Sequence, residues 1–123
     1  MAKILIIDDD SSIRALLYAI LENEGHELRE AENGRKGLRM FKEDPADLVI
    51  TDVLMPEKDG VELIMELKEI DQEAKVIAMS GGGRGLDATF NLRMAQDFGA
   101  QRLMVKPFST SEALEAVNSV LNG

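Results

Sequence analysis

Carboxylate side chains directly follow two of the short apolar runs of the sequence. Asp8, Asp9 and Asp10 follow the first run, and Asp52 follows the run that ends near residue 51. Adjacent carboxylates repel one another unless a cation or a proton compensates them, and a ligand set made only of oxygen suits a hard ion, most plausibly Mg2+. For Asp10 alone we favour a role as a helix cap, because aspartate is common next to a helix start.

A hydroxyl group and an ammonium group follow two later apolar runs, at Ser80 and Lys106. Taken singly, Ser80 is typical of a loop hydroxyl bonded to backbone, and Lys106 of a solvated lysine or a salt-bridge partner. Placed together beside a metal-bound carboxylate, they are the donors that hold the oxygens of a phosphoryl group. Their joint placement therefore predicts a phosphoryl site.

These side chains depend on the elements that carry them, and the hydrophobic pattern alternates between strand and helix. Continuous apolar runs at 4–7, 48–50 and 76–79 are typical of strands buried on both faces of a parallel sheet. Two more polar runs, 27–31 and 101–105, suit sheet edges. The predicted elements are β1 3–8, α1 12–24, β2 27–31, α2 34–43, β3 47–51, α3 60–70, β4 75–79, α4 86–98, β5 102–105 and α5 111–121.

Alternating strands and helices with right-handed crossovers predict an α/β fold, a doubly wound five-stranded parallel sheet with five helices, flavodoxin-like. If the two polar strands, β2 and β5, lie at the edges of the sheet and the three apolar strands lie at its centre, the strand order is 2-1-3-4-5. In such a sheet ligands bind beyond the carboxyl ends of the strands, where the winding reverses between β1 and β3. At the helix ends, Ser11 or Ser12 is expected to cap α1, Gly25 to end it, and Ser109 or Ser111 to cap α5.

Composition and charge exclude several classes of protein. The 123 residues predict one domain over 1–123, and the absence of cysteine excludes disulfide scaffolds and thiolate chemistry. No apolar run has the length of a membrane span and no signal peptide precedes the first strand, so we expect a cytoplasmic protein without membrane contact. The formal charge of -9 disfavours direct contact with nucleic acid and favours cations or a basic partner.

The sequence resembles the receiver domains of two-component response regulators from Ile4 to its last helix. Four segments carry the resemblance, and they stand in order at the predicted strand ends: Ile7-Asp8-Asp9-Asp10, Thr51-Asp52-Val53-Leu54-Met55-Pro56, Asp59-Gly60 and Val105-Lys106-Pro107-Phe108. Each segment alone is a weak signal, whereas the four in order are a strong one.

The resemblance implies a role for each strand-end residue. Asp52 accepts a phosphoryl group from a histidine kinase, a phosphotransfer protein or a small phosphodonor. Asp9, Asp52 and the main-chain carbonyl of Leu54 bind Mg2+, with Asp8 as a second ligand or acting through water. Lys106 pairs with the phosphoryl group, and the resemblance also implies a cis peptide bond between Lys106 and Pro107.

The resemblance further implies a switch. Ser80 hydrogen-bonds the phosphoryl group and moves with it. We predict that the output protein binds the face formed by α4, β5 and α5, because this face borders Ser80 and Lys106. At the middle of β5, where receivers usually carry an aromatic side chain that follows this movement, the present sequence has Leu103. A leucine can repack, but it offers no hydroxyl group to a partner, so the resemblance does not extend to the aromatic coupling.

Three functions are candidates for a protein with these strand-end residues. The leading hypothesis is a phosphorylation-activated switch that catalyses only its own phosphorylation and dephosphorylation and is not otherwise an enzyme. A magnesium-dependent phosphatase or phosphotransferase with an aspartyl nucleophile also places acids at strand ends, but no substrate-covering cap domain fits in 123 residues. A phosphorylation-independent interaction domain would need neither the acids nor the lysine, and both are present.

Overall fold

The computed structural model describes residues 2–53, 60–81, 93, 96–97 and 99–123, and it has the predicted architecture. Five strands form one sheet in the order β2-β1-β3-β4-β5, and all neighbouring strands are parallel. The elements are β1 Lys3–Ile7, α1 Ser11–Glu22, β2 Glu27–Ala31, α2 Gly34–Glu43, β3 Leu48–Asp52, α3 Gly60–Ile70, β4 Lys75–Gly81, β5 Arg102–Lys106 and α5 Thr110–Asn122.

The predicted bounds of these nine elements are correct to within two residues at each end. The predicted helix α4, 86–98, lies mostly outside the described residues; Arg93, Gln96 and Asp97, which are described, have helical backbone. None of the helices in the described part of the chain combines the length and apolar character that crossing a lipid bilayer requires.

The core consists of two layers, one on each face of the sheet. Leu38 and Phe41 of α2 and Leu63, Ile64 and Leu67 of α3 pack on one face. On the other face α1 and α5 pack on the alternate side chains of the same strands. The central strands β1, β3 and β4 are therefore covered on both sides, which explains their continuous apolar sequences.

The helix ends follow local hydrogen bonding, which confirms the expected cap role of Asp10 and corrects the expectation that Ser11 or Ser12 caps α1. Helix α1 begins at Ser11, and its cap is Asp10, whose carboxylate accepts a hydrogen bond from the Ser12 N–H at 2.8 Å. Ser11 and Ser12 are thus inside the helix, because a carboxylate one residue earlier already satisfies the free N–H groups. Ser109 caps α5 as predicted, and it forms a reciprocal capping box with Glu112.

Helix α2 approaches the sheet closely through a glycine. A Cβ atom built on Gly37 would lie 2.3 Å from Ile7 Cδ1 and 2.8 Å from Ile7 Cγ1. Ile7 is fully buried and is the last residue of β1. The absence of a side chain at position 37 therefore determines how near α2 lies to the end of β1.

Candidate functional site

The structure brings the predicted site residues to one edge of the sheet, at the carboxyl ends of four strands. Asp8 directly follows β1, Asp52 is the last residue of β3, and Lys106 is the last residue of β5. Ser80 lies inside β4 rather than after it, because the strand continues to Gly81, which pairs with Lys106. Since β4 lies between β3 and β5, Ser80 is positioned between the strands that carry Asp52 and Lys106.

Lys106 joins the acidic residues through two charge-assisted hydrogen bonds. Its Nζ donates to Asp8 Oδ2 at 2.7 Å and to Asp52 Oδ2 at 2.8 Å. Burial alone would lower the pKa of Lys106, but the hydrogen bonds to Asp52 and Asp8 and the charges of both carboxylates outweigh it, so the pKa is raised above 10.5. Lys106 is therefore cationic over the physiological range and holds two carboxylates together.

Asp8 is the most deeply buried acid of the site. Its side chain has no solvent exposure, and its Oδ1 accepts a hydrogen bond from the Asp10 N–H at 2.9 Å. Burial raises the pKa of Asp8 above 3.8, although the hydrogen bonds from Lys106 and from the Asp10 backbone oppose this change. An ionised Asp8 is therefore short of positive charge in the protein alone.

The acidic residues form a group with the dimensions of a cation site. Asp8, Asp9 and Asp52 each offer a carboxylate oxygen, and these oxygens lie within 4.8 Å of one another. Asp9 is exposed, whereas Asp52 is only 6% exposed. A donor set of carboxylate oxygens beside an open face fits a hard divalent cation. Leu54, the predicted main-chain ligand, lies outside the described residues.

Ser80 has an unusual environment for a hydroxyl group. The residue is fully buried, and its Oγ has no hydrogen-bond partner among the residues that the structure describes. Buried polar groups without a partner are uncommon in native proteins, and each costs about 1–3 kcal/mol. The hydroxyl group is thus available for an acceptor that is absent from the protein alone.

Leu103, the predicted switch residue of β5, is half-buried. It packs against the core layer that α2 and α3 cover, and in the sheet register it pairs with Ala78 of β4. Ala78 is two residues before Ser80, so Leu103 lies one strand away from the segment that carries the hydroxyl group. Its role as a switch stays a prediction.

Arg14 also belongs to the site, and sequence reasoning missed it. Its NH1 group donates to the main-chain oxygen of Asp8 at 2.6 Å, and its Nε donates to Glu30 Oε1 at 3.1 Å. The guanidinium group therefore ties the peptide after β1 to strand β2. One signal was present in the sequence: a cation near the first turn of a helix is electrostatically unfavourable unless another group compensates it.

The Lys106-Pro107 peptide bond is cis, as predicted from the resemblance. A family model described as the response regulator receiver domain matches residues 4–118. The chain belongs to this family. The match covers every strand of the sheet and the four segments that carry the sequence resemblance, so the family assignment made from the sequence is confirmed.

Known receivers are similar to this chain over nearly its whole length. The chemotaxis protein CheY of Bacillus subtilis is 39% identical over 124 residues, covering 98% of both chains. Sporulation initiation phosphotransferase F of the same organism is 35% identical, covering 97% of this chain and 93% of its own.

The comparison of structures gives the same result. A crystal structure of a response regulator receiver domain protein from Clostridium thermocellum is 35% identical and superimposes with a TM-score of 0.89. It covers 99% of this chain and 95% of the other. The receiver fold and the membership in two-component signalling proteins are therefore established for the chain as a whole.

Proposed function

We propose that this receiver is a phosphorylation-activated switch in which Asp52 accepts a phosphoryl group in an Mg2+-dependent reaction. The donor is a histidine kinase, a phosphotransfer protein or a small phosphodonor. The observation that carries the proposal is the bridge from Lys106 Nζ to Asp8 and Asp52, at 2.7 and 2.8 Å, beside an acidic group at the carboxyl edge of the sheet.

Exposure and bonding favour Asp52 over the other two acids as the phosphoryl acceptor. Asp8 is fully buried, so an incoming phosphorus atom has no path to its oxygens. Asp9 is exposed, but among the described contacts it has no bond to Lys106. Asp52 combines a small exposed area with a bond to the cation that can offset phosphoryl charge.

The chemical step is a transfer between two nucleophiles. An Asp52 carboxylate oxygen forms a bond to phosphorus while the bond from phosphorus to the donor nitrogen or oxygen breaks. The leaving group takes the bonding electron pair, and an imidazole leaving group then binds a proton from solvent. The product is an acyl phosphate, and the protein contributes mainly positioning and charge compensation.

Asp8, Asp9 and Asp52 would hold the Mg2+ ion, together with the Leu54 carbonyl as the family resemblance implies. The ion supplies neutralisation of phosphoryl charge and alignment of donor and acceptor. Lys106 is placed to shift its hydrogen bond from the Asp52 carboxylate to a phosphoryl oxygen, and the unpartnered Ser80 hydroxyl to donate to another. Ser80 then couples occupancy of the site to the chain that follows β4.

The output of the switch is protein binding on the face that contains β5 and α5; the predicted third element of this face, α4, lies mostly outside the described residues. Strand β5 lies at the edge of the sheet, and its Val105 is 49% exposed. A groove of about 440 Å3 is lined by residues of β5 and α5, among them Leu103, Val105 and Glu112. This face borders Ser80 and Lys106, so a change at the phosphoryl site reaches it through adjacent residues.

Incubation with acetyl phosphate and Mg2+ tests the proposal. We expect a covalent phosphoryl adduct in the intact mass, which disappears in Asp52→Asn and needs the metal. Asp47→Asn is the matched control, because Asp47 is an exposed carboxylate immediately before the same strand, at its opposite end. It should be phosphorylated like the parent protein.

Other outcomes of this experiment reject the proposal. An adduct that persists in Asp52→Asn would place the acceptor elsewhere. Multiple turnover of acetyl phosphate with release of phosphate, and without an accumulating adduct, would favour the phosphatase alternative. Absence of any adduct, with partner binding unchanged by beryllofluoride, would favour an interaction domain that does not depend on phosphorylation.

A further inference from the structure

The three carboxylates of the cation group are held in different ways. Those of Asp8 and Asp52 accept hydrogen bonds from Lys106 at 2.7 and 2.8 Å, and Asp8 accepts another from the Asp10 N–H. Asp9 is exposed, and its carboxylate has no hydrogen bond or ion pair with any residue of the described ranges. The direction of the Asp9 side chain therefore depends on the main chain that carries it.

The main chain immediately before Asp9 is restrained from two sides. The carbonyl of Asp8 belongs to the peptide unit that joins Asp8 to Asp9, and it accepts a hydrogen bond from the NH1 group of Arg14 at 2.6 Å. The N–H of Asp8 donates to the main-chain oxygen of Ala31 in β2 at 3.1 Å. Because a peptide unit is planar, a restraint on its carbonyl also restrains the N–H and the Cα of Asp9.

Glu30 holds Arg14 in the orientation that this contact needs. The Nε of Arg14 donates to Glu30 Oε1 at 3.1 Å, and the Arg14 side chain is only 18% exposed, so water competes little for its donors. Glu30 and Ala31 are the last two residues of β2, so one strand end restrains both the N–H and, through the guanidinium group, the carbonyl of Asp8. The guanidinium donors form a rigid fork, which suits two acceptors in fixed positions.

We propose that Arg14, held by Glu30, is a positioning residue for the Mg2+ site. It orients the peptide unit between Asp8 and Asp9 so that the Asp9 carboxylate points toward the ion. The inference rests on the proposed function in one respect, the binding of Mg2+ by Asp8, Asp9 and Asp52. Groups that orient metal ligands in this way commonly contribute about 10–100-fold to metal affinity.

The charge of Arg14 makes this role distinguishable from simple electrostatics. A positive charge near the acidic group opposes the binding of a cation. On charge alone, Arg14→Gln should therefore tighten Mg2+ binding, because it removes a positive charge and makes the protein more negative. The positioning role predicts the opposite sign, a weaker binding of Mg2+.

A titration with Mg2+ in the absence of any phosphodonor tests the proposal. The amide NMR signals of Asp9 and Asp10 report the binding, and the dissociation constant follows from their shifts. We expect Arg14→Gln to raise this constant by about 10-fold. An unchanged or lower constant in the folded variant overturns the proposal.

The rate of phosphorylation by acetyl phosphate gives a second measurement, as a function of the Mg2+ concentration. Arg14→Gln leaves the acceptor Asp52 and its partner Lys106 in place. At saturating Mg2+ its rate should therefore return to within about 2-fold of the parent rate, while the Mg2+ concentration for half the maximal rate increases. A purely structural contribution of Arg14 would lower the stability in urea and leave the Mg2+ dependence unchanged.

Arg102→Gln is the matched control. Arg102 forms the same kind of pair, since its NH2 group donates to Glu115 Oε1 at 2.9 Å and joins β5 to α5. It is the first residue of β5, whereas Lys106 is the last, so the control lies at the opposite end of the strand from the acidic group. It changes the net charge equally and should leave the dissociation constant within about 2-fold of the parent value. A loss as large as that of Arg14→Gln would reject the specific role.

Two further outcomes are informative. If the parent protein itself shows no shifts with Mg2+, the metal-dependent part of the proposed function fails together with this inference, whereas binding by the parent and equal binding by Arg14→Gln reject the inference alone. If Arg14→Gln does not fold, Glu30→Gln replaces it. That variant frees the guanidinium group from β2 and should also weaken Mg2+ binding, and an unchanged dissociation constant would again reject the proposal.

Discussion

The two ends of the sheet carry charged side chains in opposite physical states. At the carboxyl end, Asp8 and Asp52 are almost fully buried and share one lysine. At the amino end, Lys3 and Asp44 form an ion pair whose side chains are 44% and 50% exposed. Charged side chains that remain in water lose little solvation energy and contribute little to stability, whereas desolvated charges need a compensating partner.

The amino end also satisfies its carboxylates with the protein's own backbone. Asp47 accepts a hydrogen bond from the Lys3 N–H at 2.8 Å, and Asp71 accepts one from the Glu73 N–H at 3.0 Å. At the carboxyl end Asp8 also accepts a backbone hydrogen bond, from the Asp10 N–H, but an ionised Asp8 remains under-compensated, and the Ser80 hydroxyl group has no partner among the described residues. Thus the carboxylates described at the amino end are compensated within the protein and Asp8 at the carboxyl end is not fully compensated, although Arg29 Nε beside Asp44 is also buried without a hydrogen-bond partner among the described residues.

Of the substitutions considered, removal of Lys106 should have the largest effect on stability and on phosphorylation. Lys106→Met leaves two buried carboxylates without their cation, so we expect a loss of about 3 kcal/mol in the free energy of unfolding without Mg2+. Phosphorylation of Asp52 should slow by about 100-fold, because no ammonium group offsets phosphoryl charge. Urea denaturation and the rate of adduct formation measure the two effects.

The matched control for this variant is Lys75→Met at the amino end. Lys75 is half-buried and donates a long hydrogen bond of 3.4 Å to the main-chain oxygen of Leu121. Its removal should change the phosphorylation rate by less than about 2-fold, since it is remote from the acidic group. Equal effects of the two lysine variants would contradict the distinction between the ends.

Neutralisation of Asp8 should stabilise the metal-free protein and weaken its binding of Mg2+. Folding raises the pKa of Asp8, so the protonated carboxyl group favours the folded state. This contribution to stability is fully present below pH 3.8 and is lost as the pH rises through the raised pKa. Asp8→Asn should therefore increase the free energy of unfolding at pH 7 by about 1 kcal/mol and flatten this pH dependence. Thermal melts at several pH values measure it.

The effect of Mg2+ on the melting temperature tests the same variant for impaired metal binding. Mg2+ should raise the melting temperature of the parent protein, because a ligand that binds only the folded state stabilises it. The increase should be smaller in Asp8→Asn, which has lost one carboxylate of the cation group. A melting temperature that falls on substitution, with an unchanged response to Mg2+, argues against a destabilising charge at position 8.

Substitution of Ser80 should have a smaller effect on stability and a specific effect on switching. Ser80→Ala removes a buried hydroxyl group that has no partner among the described residues, so stability should stay equal or rise by up to about 1 kcal/mol. Phosphorylation should continue, but phosphate-induced changes in the amide NMR signals after β4 should diminish. A marked loss of stability would show that the hydroxyl group already has a structural partner.

The smallest effect is expected at the amino end. Asp44→Asn weakens an exposed ion pair, and we expect a change of less than about 0.5 kcal/mol in the free energy of unfolding and none in phosphorylation. Arg29 also donates to the main-chain oxygen of Asp44, and this bond survives the substitution. A loss comparable to that of Lys106→Met would mean that both ends depend on their charges alike.

The grouping of Asp8, Asp52 and Lys106 at one edge of the sheet was predictable from the sequence, because it follows from strand order. Short apolar runs identified the buried strands, and a parallel sheet brings Asp8, Asp52 and Lys106 to one edge without further information. Which acid is buried was not predictable, since Asp8 and Asp9 are identical in type and adjacent. Their different exposure depends on which direction the chain takes after β1.

The remaining differences between the predictions from the sequence and the structure also arise from tertiary contacts. Strand β4 continues to Gly81 because β5 offers a pairing partner there, although glycine disfavours strands. Arg14 reaches the Asp8 carbonyl only because β2 places Glu30 beside it. The cap of α1 is Asp10, one of the two expectations from the sequence, and the serine caps were wrong because the Asp10 carboxylate already accepts the Ser12 N–H.

The close contact of Gly37 with Ile7 links two surfaces that are otherwise remote. On its outer side α2 exposes Arg35, Arg39 and Lys42, and on its inner side it rests directly on Ile7, the residue that precedes Asp8. A packed interior is nearly incompressible, so α2 has no space to move inward without displacing Ile7. The helix is therefore a rigid spacer: its outer surface and the acidic pocket lie at a fixed separation, and only outward or sideways movement is open to it.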